Sequence, residues 1–588
     1  MSSIKFYCLF IVFAATTFTN AHAQGFLKAN GKSIVNEKGE NVLLRGIGLG
    51  GWMLQEGYML GITNNWQQQN QIRKHIESLI GKDRAQEFYD VWLANHTRKV
   101  DIDSLKAWGF NSVRLPMHYN LYTLPIEQEP VAGQQTWIEK GFAITDSLLA
   151  WCKANKMYLI LDLHAAPGGQ GNDLNIADRD PSTASLWDSE ANKQKMIALW
   201  RKLATRYVNE PFIGGYDIIN EPNWGFADTA NDKHGLKEKG NEPLRKLMVD
   251  ITTAIREVDK KHIIIIEGNG WGNNYNGILP AWDKNMVMSF HKYWNYNDQK
   301  SISHIIKFRD DNNIPVWLGE TGENSNTWFT QAIRLFEQNN IGWSWWPLKK
   351  LGANNPLQIK TNHNYEALRD YWNGKRQNPP KESDVYSGLL ELATYTKFET
   401  NIIHRDVIDA MIRQPFSNAT KPFKQNKITN GAVINAVDYD LGANGYAYFD
   451  NDTANQGSPD KQRNVGNRGH VYRNDGVDIR KDSALYESYF VSDIEEGEWL
   501  QFTCNNVQTG KYNVELTIAS DNDSGVITLG NSSNRRLLEN MTIPNSGGLK
   551  TWKSFSAGTI TVSGKQVLRL YFVKGGFNLK SIKFVLNK

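Results

Sequence analysis

Gly215-Tyr216-Asp217-Ile218-Ile219-Asn220-Glu221-Pro222 is the stretch on which the reading of this 588-residue chain turns. Ile218 and Ile219 suit a strand interior, and Pro222, with no N–H to offer a neighbouring strand, ends the ladder. One carboxylate, Glu221, is thereby set at a strand tip with the Asn220 amide beside it. A second apolar run, Ile314-Pro315-Val316-Trp317-Leu318-Gly319, reads as a strand ending at Gly319, and it too delivers a glutamate, Glu320.

Working outward, the region between residues 25 and 350 alternates short apolar runs with helical patterns. The runs are Asn41–Gly51, Asn111–Met117, Met157–His164, Ile213–Pro222, His262–Gly270, Met286–Tyr293, Ile314–Gly319 and Ile341–Trp346. Amphipathic segments such as Gly141–Asn155, Asn192–Asn209, Glu242–Asp259 and Trp328–Asn339 separate them. Near-continuous apolar strands belong to parallel sheets covered on both faces. Repeated β/α units predict an α/β fold, the (β/α)8 or TIM barrel, with function at the C-terminal ends of its strands. A doubly wound open sheet is the alternative. The polar residues Arg114, His164, Asn220, Glu221, His291 and Glu320 all fall at strand ends, which favours the barrel.

Residues 24–422 are thus expected to form the barrel domain, with a polar helical extension after about 352 that carries Trp372, Tyr386 and Tyr395. A short basic and polar linker, 423–430, precedes short alternating strands with turn signals and no long helix. Residues 431–588 therefore read as an all-β sandwich (jelly-roll) domain.

Hydrophobic content of 40% and charged content of 22% are those of an ordinary globular protein. The net charge of +4 gives no case for nucleic acid or an anionic surface. The chain has 20 Trp and 23 Tyr, rings that serve either a large core or a platform for sugar faces. At the N-terminus Lys5 precedes an apolar run, Phe6–Phe18, too short to span a bilayer and followed by Ala21-His22-Ala23. That is the pattern of a secretory signal peptide over 1–23, cut before Gln24, and it implies a secreted, extracellular or periplasmic protein. No later segment reads as a membrane span. Cys152 and Cys504 fall in different expected domains, so no disulfide framework and no metal site follow.

Two glutamates presented from two strand ends are what cleavage of a glycosidic bond needs, one to donate a proton and one to attack or to activate water. The motifs around them resemble glycoside hydrolase family 5, in the clan of retaining barrels whose glutamates follow strands four and seven. Asn220-Glu221-Pro222 and Gly319-Glu320-Thr321-Gly322 match in order and position. Arg114, in Asn111-Ser112-Val113-Arg114-Leu115-Pro116, matches the strand-two arginine. His164 matches the strand-three histidine, His291 and Tyr293 the strand-six pair, and Trp346 the strand-eight tryptophan. The resemblance implies that Glu221 is the acid/base and Glu320 the nucleophile, and that Asn220 meets the sugar 2-hydroxyl. It further implies that Tyr293 steadies Glu320 and Trp346 floors the cleavage subsite. Retention would place the carboxyls about 5–5.5 Å apart. Glu323 is the rival nucleophile by position alone, and His164 or His291 taken singly would pass for satisfied core histidines.

Arg45 to Glu56, with its Gly46-Ile47-Gly48-Leu49-Gly50-Gly51-Trp52 run, is similar to the first-strand motif of the family's exo-β-1,3-glucanases. Leu161-Asp162-Leu163-His164-Ala165-Ala166-Pro167-Gly168-Gly169-Gln170 is similar to their third-strand loop. In those relatives the glutamate matching Glu56 contacts the sugar at the non-reducing end. The expected partner is a polysaccharide or oligosaccharide, β-1,3-glucan first and β-1,4- or β-1,6-glucan or mannan behind it. The resemblance implies no cofactor for catalysis. Trp224, Trp271 and Trp294 are expected along the cleft. A catalytically silent glycan-binding barrel is the rival from another class.

The segment Val437–Asp450, with Gly476–Ile479, Glu496–Leu500, Gly547–Trp552 and Gly576–Leu579, resembles a family 6 carbohydrate-binding module. The resemblance implies sugar held between an aromatic pair and a last-strand asparagine. Tyr486 or Tyr489 supplies one ring, Trp552 stands just beyond the position of the second, and Asn578 matches the asparagine. A structural calcium, usual in such modules, is left to remaining oxygen ligands such as Asp438, because Val437 replaces the usual glutamate.

Overall fold

The computed structural model describes residues 25–452, 467–482, 488–533 and 535–587. The expected signal segment, residues 1–23, and Tyr486 lie outside the described residues. No helix among the described residues is long and apolar enough to cross a membrane.

Eight parallel strands close into a barrel. They are β1 (Arg45–Gly48), β2 (Ser112–His118), β3 (Tyr158–Ala165), β4 (Ile213–Asp217), β5 (Ile264–Glu267), β6 (Met286–Lys292), β7 (Val316–Gly322) and β8 (Gly342–Trp346). Alternation along each strand sends one set of side chains out to the helices and the other into the barrel. Val113, Leu115 and Met117 of β2 and Leu159, Leu161 and Leu163 of β3 join the outer core with Trp200, Leu203 and Ile251 from the surrounding helices.

The inward set changes character along the barrel axis. At the bottom, Tyr158, Ile160, Ile263, Ile265, Val287 and Trp317 pack with Leu27, Ile34 and Leu44 from the N-terminal segment, which plugs that end. Above them the same strands turn polar and present Arg114, Asp162, Asp217 and Glu267, all fully buried. The C-terminal end of the barrel stands on this charged layer.

Strand β7 departs from simple alternation. Its pairing with β6 runs Leu318 to Phe290 and then Glu320 to His291, which leaves Gly319 as a bulge. Strict alternation from the outward-facing Leu318 would point Glu320 away from the barrel, and the extra residue turns it back inside. Gly319 is required there, because a Cβ would lie 2.2 Å from Ser289 Oγ. The strand therefore continues to Gly322 instead of ending at Gly319.

The extension after 352 includes helices His363–Trp372 and Glu382–Tyr395. They share a separate apolar core with Gln69–Ile80 and Lys82–His96, built from residues such as Ile72, Phe88, Trp92, Leu368 and Leu389. The extension thus braces the long β1 loop that carries Glu56.

Two antiparallel-dominated sheets form the C-terminal sandwich around a core that includes Phe502, Leu516, Ile527, Leu570 and Phe584. One sheet begins at Asn426–Ile428, which pairs with Trp499–Val507. The segment expected as a linker, 423–430, is therefore partly strand, because its alternating Asn426 and Ile428 find a parallel neighbour that local pattern does not announce. Cys152 and Cys504 are buried free thiols, one in each domain.

Candidate active site

The charged floor is organised by Arg114. Its guanidinium lies 2.8 Å from Asp217, 3.2 Å from Asp162, 3.2 Å from Glu267 and 3.0 Å from Glu320, and Nη2 donates to Asn220 Oδ1 at 2.8 Å. Burial opposes its charge, but the surrounding carboxylates outweigh burial and keep it protonated. Burial pushes Asp162 and Asp217 well above the usual carboxylate range in spite of Arg114, toward the neutral form. Glu267 goes the other way. Burial would raise it, yet His291, Arg114 and the Glu221 N–H hold it below the ordinary value.

Glu221 follows the end of β4 with φ of +43°, the left-handed region that a non-glycine residue adopts at a cost of about 1 kcal/mol or more. The turn sends its N–H to Glu267 Oε2 at 2.7 Å, and its side-chain Oε1 meets His291 Nδ1 at 2.6 Å. Glu267, which sequence reading did not single out, thus holds the backbone of Glu221, and its Oε1 lies 3.2 Å from His291 Nε2. Burial raises the Glu221 pKa above its ordinary value, with His291 opposing. His291 itself is held well above an ordinary histidine; burial works against its charge, and Glu267, Glu320 and Glu221 prevail.

Glu320 is gripped at both oxygens. Arg114 Nη1 donates to Oε2 at 3.0 Å and the Tyr293 hydroxyl donates to Oε1 at 2.5 Å. Burial and the neighbouring Glu221 raise its pKa, while His291, Arg114 and His164 oppose. Both carboxyls are raised; Glu320 has two donors, Arg114 and Tyr293, that favour its anion, and Glu221 has one, His291. Ligand-type atoms of Glu221, His291 and Glu320 all lie within 4.8 Å of one another. An inverting pair needs about 6.5–9.5 Å for an intervening water, so this spacing suits direct attack.

Asn220 is oriented from below and beside. His164, brought down to about 3 by burial, is neutral; its Nδ1 bonds Asp162 at 2.8 Å and its Nε2 faces Asn220 Nδ2 at 3.3 Å. The Asn220 oxygen is already taken by Arg114, so one N–H of its amide is left for a ligand. Trp346 stacks on His164 with centroids 5.1 Å apart and 4° between planes, and its Nε1 donates to Tyr58 at 3.0 Å. The glycines of the first-strand motif make room for that ring. A Cβ on Gly48 or Gly50 would meet Trp346 at 2.5 or 2.6 Å.

These residues open onto a cavity of about 900 Å³ lined by Glu56, Tyr58, His164, Asp173, Glu221, Trp271, His291, Tyr293, Trp294, Glu320, Glu323 and Trp346. Arg114 and Asn220 lie below its surface. Burial and the acids Glu320, Glu323 and Glu221 push Glu56 well above the carboxylate range. Glu323 is placed as a wall residue, 2.8 Å from Lys350, not opposite Glu221. Trp271 and Trp294 line the cavity as expected, whereas Trp224 lies under Arg179 at 4.9 Å and does not. No residue of 352–422 is in the wall.

The sandwich residues fare differently. Trp552 packs edge-on against Phe490 at 5.0 Å, with Lys580 over its face at 5.0 Å. Asn578 donates one amide N–H to Leu549 O at 2.7 Å. Tyr489 stands beside Tyr472 at 4.7 Å. Asp438 does not suit a calcium ion: Asn435 donates to one oxygen at 2.9 Å, and the Tyr472 hydroxyl and Lys424 engage the other.

Residues 67–352 match the family described as cellulase (glycosyl hydrolase family 5), and residues 470–585 match carbohydrate binding module (family 6). Among curated proteins, a beta-xylosidase of Phanerodontia chrysosporium is 24% identical over 388 residues, covering 59% of this chain and 75% of its own. Endoglucanase C of Acetivibrio thermocellus is 24% identical over 329 residues, covering 45% of this chain and 87% of its own. A probable glucan 1,3-beta-glucosidase A of Aspergillus niger is 27% identical over 262 residues, covering 43% and 55%. The barrel belongs to glycosyl hydrolase family 5 and the sandwich to the family 6 modules, and the chain is a glycoside hydrolase.

Proposed function

We propose that this glycoside hydrolase cleaves β-glucan, β-1,3-linked in the first instance, by double displacement with Glu221 as acid/base and Glu320 as nucleophile. The observation that carries the reading is the pair itself. One oxygen of each carboxyl lies within 4.8 Å of the other; Glu320 is gripped by Arg114 and Tyr293, donors that favour its anion, and Glu221 is raised by burial toward its acid form.

In the first step a Glu320 oxygen attacks the anomeric carbon, the glycosidic C–O bond breaks, and Glu221 gives its proton to the departing oxygen. Glu221 Oε1 is held by His291, which leaves Oε2 for this transfer. The free N–H of Asn220 meets the 2-hydroxyl of the sugar over Trp346, a contact that strengthens at the transition state. Esterification removes the Glu320 charge next to Glu221, which then accepts a proton from the attacking water. Glu320 leaves as a carboxylate and the product keeps the β configuration.

Glu56, at the wall next to Tyr58, is proposed to hold the sugar at the non-reducing end. The N-terminal segment 1–23 is proposed to direct export; a mature chain starting at Gln24, read by N-terminal sequencing of the exported protein, checks that, and retention of residues 1–23 contradicts it.

The test is product release from β-1,3-, β-1,4- and β-1,6-glucans and mannan, beside Glu221→Gln and Glu320→Gln. Because a relative that covers 59% of this chain is named a beta-xylosidase, an aryl β-xyloside joins the panel. Hydrolysis of β-1,3-glucan lost in both variants supports the reading. Turnover of another glycan alone replaces the substrate and keeps the chemistry. Binding without any turnover contradicts the enzyme reading.

A further inference from the structure

The sandwich does not hang from the barrel on a tether. Asn326, in the first turn of the helix that follows β7, donates Nδ2 to Asp406 and to Asp475 of the sandwich, both at 2.9 Å. Asn474 returns the contact through its N–H to Asp406 at 2.7 Å and its amide to Asn324 O at 2.7 Å. Arg473, fully buried, pairs with Asp475 at 2.6 Å and lies over the Tyr439 ring at 3.7 Å. Buried, hydrogen-bonded polar groups of this kind fix one arrangement of the two domains.

At the edge of this knot lies a cavity of about 220 Å³, walled on the barrel side by Ser325, Lys350 and Asn354 and on the sandwich side by His470, Arg473 and Asn474. It adjoins the catalytic cavity. Glu323 lines the catalytic cavity, Lys350 lines the smaller one, and the two side chains meet at 2.8 Å. Lys350 also lies over the Tyr58 ring at 5.6 Å, so the junction is at the Glu56–Tyr58 end of the cleft.

The lining is polar and uncommitted. Arg473 Nε is buried without a hydrogen-bond partner. Ser325 Oγ accepts from Trp328 N, which leaves its O–H to donate. Among the described residues the side chains of Asn354 and His470 make no hydrogen bond to the protein. The cations are already balanced, Lys350 by Glu323 and Arg473 by Asp475. Donors and acceptors without net charge, in a space on the scale of one sugar ring, suit a neutral polyhydroxyl ligand better than an anion.

We infer that this interdomain cavity is a further glycosyl subsite of the same cleft, which holds a neutral sugar unit beyond the one being cleaved, with the sandwich as one of its walls. The inference rests on the reading of the catalytic cavity as a glycan site and extends it to a named second domain.

The test compares the full chain with Asn354→Ala and His470→Ala on a ladder of β-gluco-oligosaccharides from the disaccharide upward. Both side chains lie outside the buried knot, and matching thermal melts show that the variants are folded. In the unaltered protein kcat/KM rises when the chain becomes long enough to enter the cavity. The variants lose roughly three- to tenfold of that rise, the worth of one or two hydrogen bonds. Equal losses at every length, or none at any, overturn the subsite. If no oligosaccharide is hydrolysed, the proposed function fails and the cavity is tested alone by calorimetric titration of the same oligosaccharides. Weaker binding by His470→Ala then supports the subsite, and identical binding or no binding overturns it.

Discussion

The barrel mouth and the sandwich face carry similar sugar-type signatures and use them in opposite ways. At the barrel mouth, Glu221, Asn220 and Glu320 are held from below by Arg114, Glu267 and His291; Glu221 keeps an oxygen, Asn220 an N–H and Glu320 a lone pair on each bonded oxygen for a ligand. On the sandwich, Trp552 and Asn578 turn to Phe490 and Leu549 instead. The difference teaches that a binding residue is recognised by what it leaves uncommitted once its protein partners are counted. Residue type at a matching position is not enough.

The largest effect that sharpens this contrast is on turnover. Glu320→Gln and Glu221→Gln are each expected to lower kcat by roughly 10³-fold or more, while thermal melting stays close to that of the unaltered chain. The pH profile divides their roles. Glu320 must be ionised, and its pKa is raised by burial, so kcat/KM falls with acid through a value above the ordinary carboxylate range. Glu221 must be protonated, and loss of that proton gives the alkaline limb. Glu221→Gln should abolish the alkaline limb and keep the acid one.

Next comes the floor. Arg114→Met leaves Asp162, Asp217, Glu267 and Glu320 without their shared cation, and about 3–5 kcal/mol of stability should go with it, read by denaturant unfolding. Gly48→Ala tests the subsite floor formed by Trp346 more gently. Its Cβ would displace Trp346 by contact at 2.5 Å, and a loss of roughly ten- to a hundredfold in kcat/KM is expected with the fold kept.

The smallest effect belongs to the sandwich. Trp552→Ala should cost about 1 kcal/mol of stability through the lost ring pair with Phe490 and leave glucan affinity close to the unaltered value. A large loss of affinity at this position would break the contrast.

Much of this was legible in the chain. Strands buried on both faces write continuous apolar runs, and their polar ends named His164, His291 and both glutamates. Arg114, expected at a strand end, lies inside β2 instead, where its side chain reaches up from the barrel interior. Glu267 could have been found by the same signal, since it caps the run Ile263-Ile264-Ile265-Ile266. Asp162 and Asp217 were quoted within motifs but not recognised as the floor, because a buried acid's role depends on an arginine brought by another strand. The bulge at Gly319 and the left-handed turn at Glu221 were not readable. Both break the local periodicity on which sequence reading rests, and both aim one of the two paired carboxyls. The docking of Asn326 on Asp475 joins residues far apart in the chain, with no periodic signal to announce it.

The measurement that bears most directly on the central claim is the anomeric configuration of the first-formed sugar, followed by proton NMR during hydrolysis of a β-linked substrate that the panel shows to be cleaved. A glutamate pair within 4.8 Å predicts the β anomer first, with the α form growing later by mutarotation. The α anomer as the first product would mean that water, not Glu320, attacks the sugar, and would contradict the account.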